Sequence, residues 1–336
     1  MLRVIPTFDE WLNNLGQWGK IIDALFTVLV FFAVLFLVFW LAGLAKGRVS
    51  RPLAFVVFLL PALILVTMGL IVPAIRTTGD SFKNSNSTEW VGFDNYSWIF
   101  TTPDNRQILI NTLLWLLIAP IAATVLGLTL ALLLDRMRRE SIPKSLIFMP
   151  MAISFVGASI IWGLMYEYRD PSQDQVGLLS QLAIWVGIDD PPNWLLWQPW
   201  NNFLLMVIMI WIQTGFAMVV LSAAIKAIPM DVVEAAELDG ATGWRLFTKV
   251  TVPMIRSTLI VVLTTIMIAT LKVFDIVRVM TNGNFGTQIV ANEMYSQSFV
   301  QFDYGRGSAL AVILFVGVIP LVVYNVIQLQ KERQVR

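Results

Sequence analysis

The chain has 336 residues, of which 57% are hydrophobic and 13% charged, with a formal net charge of +1. Soluble domains carry about 25% charged residues, so this composition excludes a water-soluble globule and points to lipid as the solvent. Cysteine and histidine are both absent; this excludes disulfides, thiolate nucleophiles, imidazole bases and the usual zinc and haem ligands, and the near-neutral charge offers no basic face for nucleic acid.

The segment Met1 to Lys20 carries Asp9 and Glu10 and leads into an apolar run of full membrane length, so it does not read as a cleaved leader. Phe8, Trp11, Leu12, Leu15, Trp18 and Ile22 recur at helical spacing. Residues 1–21 are therefore expected either as an interfacial helix in the headgroup layer or as an ordered tail without a role. A bilayer core takes about twenty apolar residues per helix, and such runs fall at 22–45, 53–75, 108–134, 145–166, 202–227, 257–281 and 308–329. The expected fold is an all-α integral membrane protein of about seven transmembrane helices. Pro61, Pro120, Pro150 and Pro320 lie inside these runs and are expected to kink them.

Orientation follows from Lys and Arg in the short loops. Lys46, Arg48 and Arg51 lie in one loop, and Arg136, Arg138, Arg139 and Lys144 in the next but one. Both are expected to be cytoplasmic. The segment from Lys226 to Arg256 and the tail with Lys331, Arg333 and Arg336 then fall on the same side, and the N-terminus outside. The opposite loops, Thr77–Gln107, Arg169–Asn201 and Asn282–Arg306, are rich in Asn, Asp, Ser, Gly and Trp. They suit packing against a partner outside the membrane.

The segment between the fifth and sixth runs is long for a membrane-protein loop. Pro229 to Leu238 predicts a helix opened by proline with acidic residues in its first turn. Gly240 predicts a break, and Ala241 to Val250 a second short helix ending before Pro253. Two helices meeting at a glycine make an angled knob. Glu234, Glu237, Asp239, Arg245 and Lys249 give it a charged side, and Ala235 and Ala236 permit close approach.

The residues Glu234, Ala235, Ala236, Gly240, Val250, Val252 and Pro253 stand at the spacing of the EAA loop of ABC import permeases, with Val at two positions where Ile and Leu are usual. Over 53–330 the chain resembles the six-helix core of sugar-type permeases, especially those of maltose and α-glucoside importers. The stretch Phe274 to Gln288 is part of that likeness, and the helix at 22–45 is an addition to the core.

The resemblance implies a bacterial or archaeal cell-membrane subunit whose loop 228–254 docks on a separate ATPase, through Glu234, Ala235, Ala236, Asp239, Gly240 and Pro253. It implies as partners a second related permease, two ATPase subunits and an extracytoplasmic solute-binding protein, besides membrane lipid. ATP and Mg would be used by the ATPase, since the chain has no GxxxxGK[ST] loop to cradle phosphates; no cofactor, metal or catalytic residue is expected here.

Polar residues inside the runs are candidates for the solute path: Ser154, Ser159, Gln213, Thr214, Thr264, Thr265, Thr270, Lys272 and Asp275. Hydroxyls often bond only to their own helix. Lys272 and Asp275 are spaced to pair on one helical face, and Lys272 serves either substrate contact or snorkelling to headgroups. The family's sugar site falls, by the resemblance, on Met209, Ile212, Gln213 and Phe216 and on Ile266, Ala269, Thr270 and Val273. Phe216 is placed to stack on a pyranose, and Gln213 and Thr270 to bond hydroxyls. For Ile266, Ala269 and Val273, packing against the partner permease is the competing expectation. A polyol or glycerol phosphodiester permease is the main alternative. A secondary transporter, which would need inverted repeats and buried carboxylates, fits less well.

Overall fold

The computed structural model describes residues 17–43, 50–135, 137–170 and 172–335. Phe8, Trp11, Leu12 and Leu15 of the expected interfacial face, and Lys46, Arg48, Arg136 and Arg336, lie outside the described residues. Among those described, the backbone is helical, and its one β-feature is an isolated bridge between Lys83 and Trp90.

The chain divides into two units, Met1–Arg76 and Thr77–Arg336. The first holds α1 (Gln17–Gly43) and α2 (Ser50–Val66), and a π turn at Thr67–Ile71 leads on to α3 (Val72–Asp80). Trp18 and Ile22, expected on an interfacial face, belong to α1 itself.

In the second unit the elements are α4 (Asp94–Thr101), α5 (Pro103–Leu134), α6 (Ser141–Phe148), α7 (Phe155–Met165), α8 (Leu178–Trp185), α9 (Trp200–Lys226), α10 (Met230–Leu238), α11 (Trp244–Leu246), α12 (Val252–Leu271), α13 (Asp275–Met280), α14 (Val290–Tyr295) and α15 (Tyr304–Val335). Among the described residues five helices are long and apolar enough to cross a bilayer: Phe58–Asp80, Pro103–Leu134, Trp200–Lys226, Trp244–Leu271 and Tyr304–Gln328. A sixth is added if the bent pair Ser141–Ala152 and Phe155–Met165 is one span. The expected run at 22–45 falls on α1.

The fourth expected span, 145–166, is not a straight helix: its two halves meet at 104°. Pro150 stands in a 3-10 turn at Met149–Ala152, and Ile153 is extended. Ser154 then starts α7 afresh, its hydroxyl accepting a hydrogen bond from the Gly157 N–H at 3.1 Å. A proline without a donor next to a good N-cap is enough to split an apolar run. Pro61, Pro120 and Pro320 lie within α2, α5 and α15, which continue through them.

Helix α9 is the centre of the unit. Of its most apolar window 56% is buried, against 33% for Pro103–Leu134 and 6% for Tyr304–Gln328; α15 buries Ala309 and Leu310 against this chain and leaves much of its later length exposed. Along the α5–α9 seam Ala123, Gly127 and Ala131 face Ala217, Met218 and Leu221. A Cβ at Gly127 would stand 2.5 Å from the Ala217 Cβ, so this approach requires glycine. Small residues at a helix seam are how packing is gained in lipid, where no hydrophobic drive brings helices together.

Candidate functional site

The loop between α9 and α12 is built as two arms. Pro229, extended at φ −58° and ψ 134°, opens α10, and Asp231 sits in its first turn. The helix closes at Gly240, whose φ of +80° is left-handed; Ala241 N–H donates to Ala236 O at 2.9 Å and Gly240 N–H to Glu237 O at 3.0 Å. This is the glycine stop that a helix C-terminus favours. No residue of α10 is buried, and Leu238 is 90% and Trp244 75% exposed. Glu234, Ala235, Asp239, Gly240 and Pro253 are exposed and Ala236 is half-buried.

The second arm differs from the sequence expectation. It does not end before Pro253 but runs from Trp244 through a π turn at Phe247–Thr251 straight into α12, one helix from Trp244 to Leu271. Pro253 has no N–H to give, and the π turn absorbs the gap, with Val252 N–H bonded to Phe247 O. The second arm of the knob is therefore continuous with a helix long and apolar enough to cross a bilayer.

The base of the knob is tied down by a charged cluster. Asp135 caps the C-terminal end of α5, an unfavourable place for a carboxylate because the helix dipole is negative there. Lys144 of α6 answers it, pairing with Asp135 and with Glu140 (2.8 Å) and bonding Ser222 of α9. Ser222 also donates to Asp135 at 2.7 Å, and Lys226, the last residue of α9, pairs with Glu140. The two ammonium groups, Lys144 first, hold the Glu140 carboxyl down at about 2. Among the described residues Asp135 Oδ2 is buried without a partner. In sequence Lys144 and Lys226 stand out only as orientation charges. The spacing of Glu140 and Lys144 was a signal, but the link to Ser222 joins residues far apart in the chain.

The expected path residues separate into two groups. Met209, Ile212, Ile266, Thr270 and Val273 are buried within this chain, each at most 3% exposed. Met209, Ile212 and Val273 pack in one cluster with Ala158, Tyr166, Ile276 and Val277. Thr270 spends its hydroxyl on Ile266 O at 2.8 Å. Gln213, Phe216 and Ala269 are half-buried and reach the unit's surface. Ser154 is the α7 cap, Ser159 bonds Phe155 O, Thr214 bonds Ile210 O, and Thr264 bonds both its own helix and Asn325 of α15 at 2.6 Å. Thr265 is exposed.

The pairing expected for Lys272 and Asp275 is not formed. Helix α12 stops at Leu271, short of the expected 281; Lys272 caps it at φ −97° and ψ 7°, exposed, and Asp275 opens α13. The two residues lie on different helices, so helical spacing no longer brings them together. Among the described residues no group of acidic side chains could hold a metal ion.

The profile of the family described as binding-protein-dependent transport system inner membrane component matches residues 123–336. An alpha-glucoside transport system permease protein of Rhizobium meliloti is 45% identical over 286 residues, 85% of this chain and 85% of that protein. An osmoprotective compounds uptake permease protein of Synechocystis is 46% identical over 279 residues, 83% of this chain and all of that protein (100%). Among solved structures, a chain of a bacterial alginate ABC transporter, crystallised with an alginate pentasaccharide-bound periplasmic protein, superposes with a TM-score of 0.71 at 21% identity, over 82% of this chain and 94% of that one.

Proposed function

The chain belongs to the family of binding-protein-dependent transport system inner membrane components, and from that premise we propose that it forms half of the translocation path of an importer for a neutral sugar of the α-glucoside type. It is a multi-pass membrane subunit and not an enzyme. The observation that carries the mechanism is the exposed, glycine-stopped knob of Met230–Leu238, whose second arm is continuous with a membrane span.

In this reading the knob seats in a cytoplasmic ATPase, two copies of which work beneath this chain and a second permease, while ATP and Mg remain on the ATPase. A loaded binding protein docks on the outer loops, ATP closes the ATPase pair, the knobs approach one another, and the path opens outward to take the solute. Hydrolysis resets it. Gln213, Phe216 and Ala269, with Thr265, Lys272 and Asp275, are path candidates left accessible to solute or partner in this arrangement. The relative named for osmoprotective compounds, at 46% identity, supports a second reading in which the solute is a small polyol-like osmolyte.

The test is purification of the assembly through a tag on this chain, identification of its partners by mass spectrometry, and thermal shift of the accompanying binding protein. Maltose or trehalose at about a hundred times the dissociation constant should stabilise the binding protein by about 2.7 kcal/mol. Stabilisation by glycerol or sorbitol but by no disaccharide would transfer the assignment to the osmolyte.

A further inference from the structure

At the end of the second unit away from the knob, the first turns of α5 and α9 and the turn 282–288 enclose a pocket of about 410 Å³. Its walls carry the carboxamides of Gln107, Asn111, Gln198, Asn201 and Asn202, with the rings of Phe203 and Phe285, and no charged side chain.

The amides divide into two jobs. Asn111 Nδ2 donates to Gly286 O at 2.7 Å and Gln288 O at 2.9 Å, and Asn201 Nδ2 donates to Leu195 O at 3.1 Å and Phe285 O at 2.8 Å. These two, from different spans, grip the turn. What they hold is a Phe285 backbone at φ +57°, a conformation bulky residues avoid and one that persists where the surroundings enforce it. The result is an aromatic ring presented 47% exposed at the pocket edge.

The other amides are left open among the described residues. Asn202, 5% exposed, accepts from Trp115 Nε1 at 2.7 Å through Oδ1, and its Nδ2 has no protein partner. Gln107 gives one N–H to Asn111 Oδ1 at 3.0 Å and keeps its own Oε1. Gln198 lines the pocket with an exposed side chain. Free donors and acceptors therefore converge beside an aromatic face in a neutral cavity within the usual ligand-pocket range of about 300–1,000 Å³.

We propose that this pocket is an outer saccharide site, holding a neutral hexose unit at the mouth of the path before it enters the interior. Hydroxyls both donate and accept, which matches carboxamides, and the C–H face of a pyranose stacks on Phe285. The neutral walls give no counter-charge to a phosphate or carboxylate solute. The proposal rests on the sugar reading above and adds a place to it.

The chain has no cysteine, so Gln198→Cys gives a single label site, and Asp104→Cys, exposed on α5 outside the pocket, is the control. In the assembled importer without binding protein, maltose or trehalose at ten times its half-protecting concentration should slow maleimide labelling of the Gln198→Cys variant about tenfold. Glycerol 3-phosphate should not, and the control should be unaffected. Adding Phe285→Ala should raise the half-protecting concentration about tenfold through lost stacking. Unchanged labelling in an importer that takes up the saccharide overturns the pocket and leaves the sugar reading standing. Equal shielding by unliganded binding protein alone also overturns it, assigning the pocket to protein docking. An importer that takes up neither saccharide overturns the sugar reading itself.

Discussion

Replacing Gly240 by alanine is expected to cut binding-protein-stimulated ATP hydrolysis and solute uptake by about five- to thirtyfold, the population change that about 1–2 kcal/mol of left-handed strain brings. The backbone there has φ +80°, and an added Cβ would meet no atom within 4 Å. The cost is therefore in the local conformation, which the knob relieves by changing the angle between its arms. The membrane core does not feel it, so the thermal midpoint of the assembly should stay within a few degrees of the parent. Gly240→Asn is the matched control, since asparagine tolerates the left-handed region, and should retain most of the activity. Full stimulation in Gly240→Ala, or an equal loss in both variants, would show that the angle of the knob is not what transmits the movement.

Replacing Lys144 by methionine should be the more damaging change to the assembled protein. Asp135 and Lys144 have side chains only 13% and 16% exposed, and removing one partner leaves a largely buried carboxylate, one oxygen of which has no partner among the described residues. Breaking a fully buried pair costs about 3–5 kcal/mol; with this residual exposure about 2 kcal/mol is expected, read as a lower midpoint and lower yield of the purified assembly. The double change Asp135→Asn with Lys144→Met should recover most of it, because no lone charge remains. If the single variant is as stable and as coupled as the parent, the cluster does not anchor the knob.

The Glu140 side of the cluster has a defined pH sense. Its carboxyl is depressed from 4.5 to about 2 in the folded chain, so its contribution is complete above 4.5 and is lost only as pH falls towards 2. Neutral-range pH changes leave it untouched. Lys226 is 49% exposed, so its pair with Glu140 is the member that added salt should weaken.

The loop was legible in the sequence because its signals are local: a proline and acidic residues open α10, and a glycine closes it. Its continuity with α12 was not, because a π turn that accommodates Pro253 leaves no mark in residue type. Hydropathy located the apolar runs and Pro150 marked a kink in the fourth, yet averaging over Pro150 and Ser154 gave one kinked span where the structure has two helices at 104°. It likewise carried the sixth span past Leu271 to 281, since Val273, Ile276 and Val277 are as apolar as the helix before them but pack around a break. The candidate path positions divide between the chain's core and its surface for a related reason. Positions such as Met209 and Ile212 share a helical face, but in this fold that face is turned into the chain's own core. The cluster of Asp135, Lys144 and Ser222 is a tertiary assembly that no single window contains.

The most direct test of the whole account is uptake of labelled maltose or trehalose into liposomes holding the purified assembly, with ATP and the binding protein supplied on opposite sides of the bilayer. The account predicts uptake only when ATP is on the side of the Met230–Leu238 knob and loaded binding protein is on the other. Uptake by this chain alone, driven by an ion gradient without ATP, would contradict it.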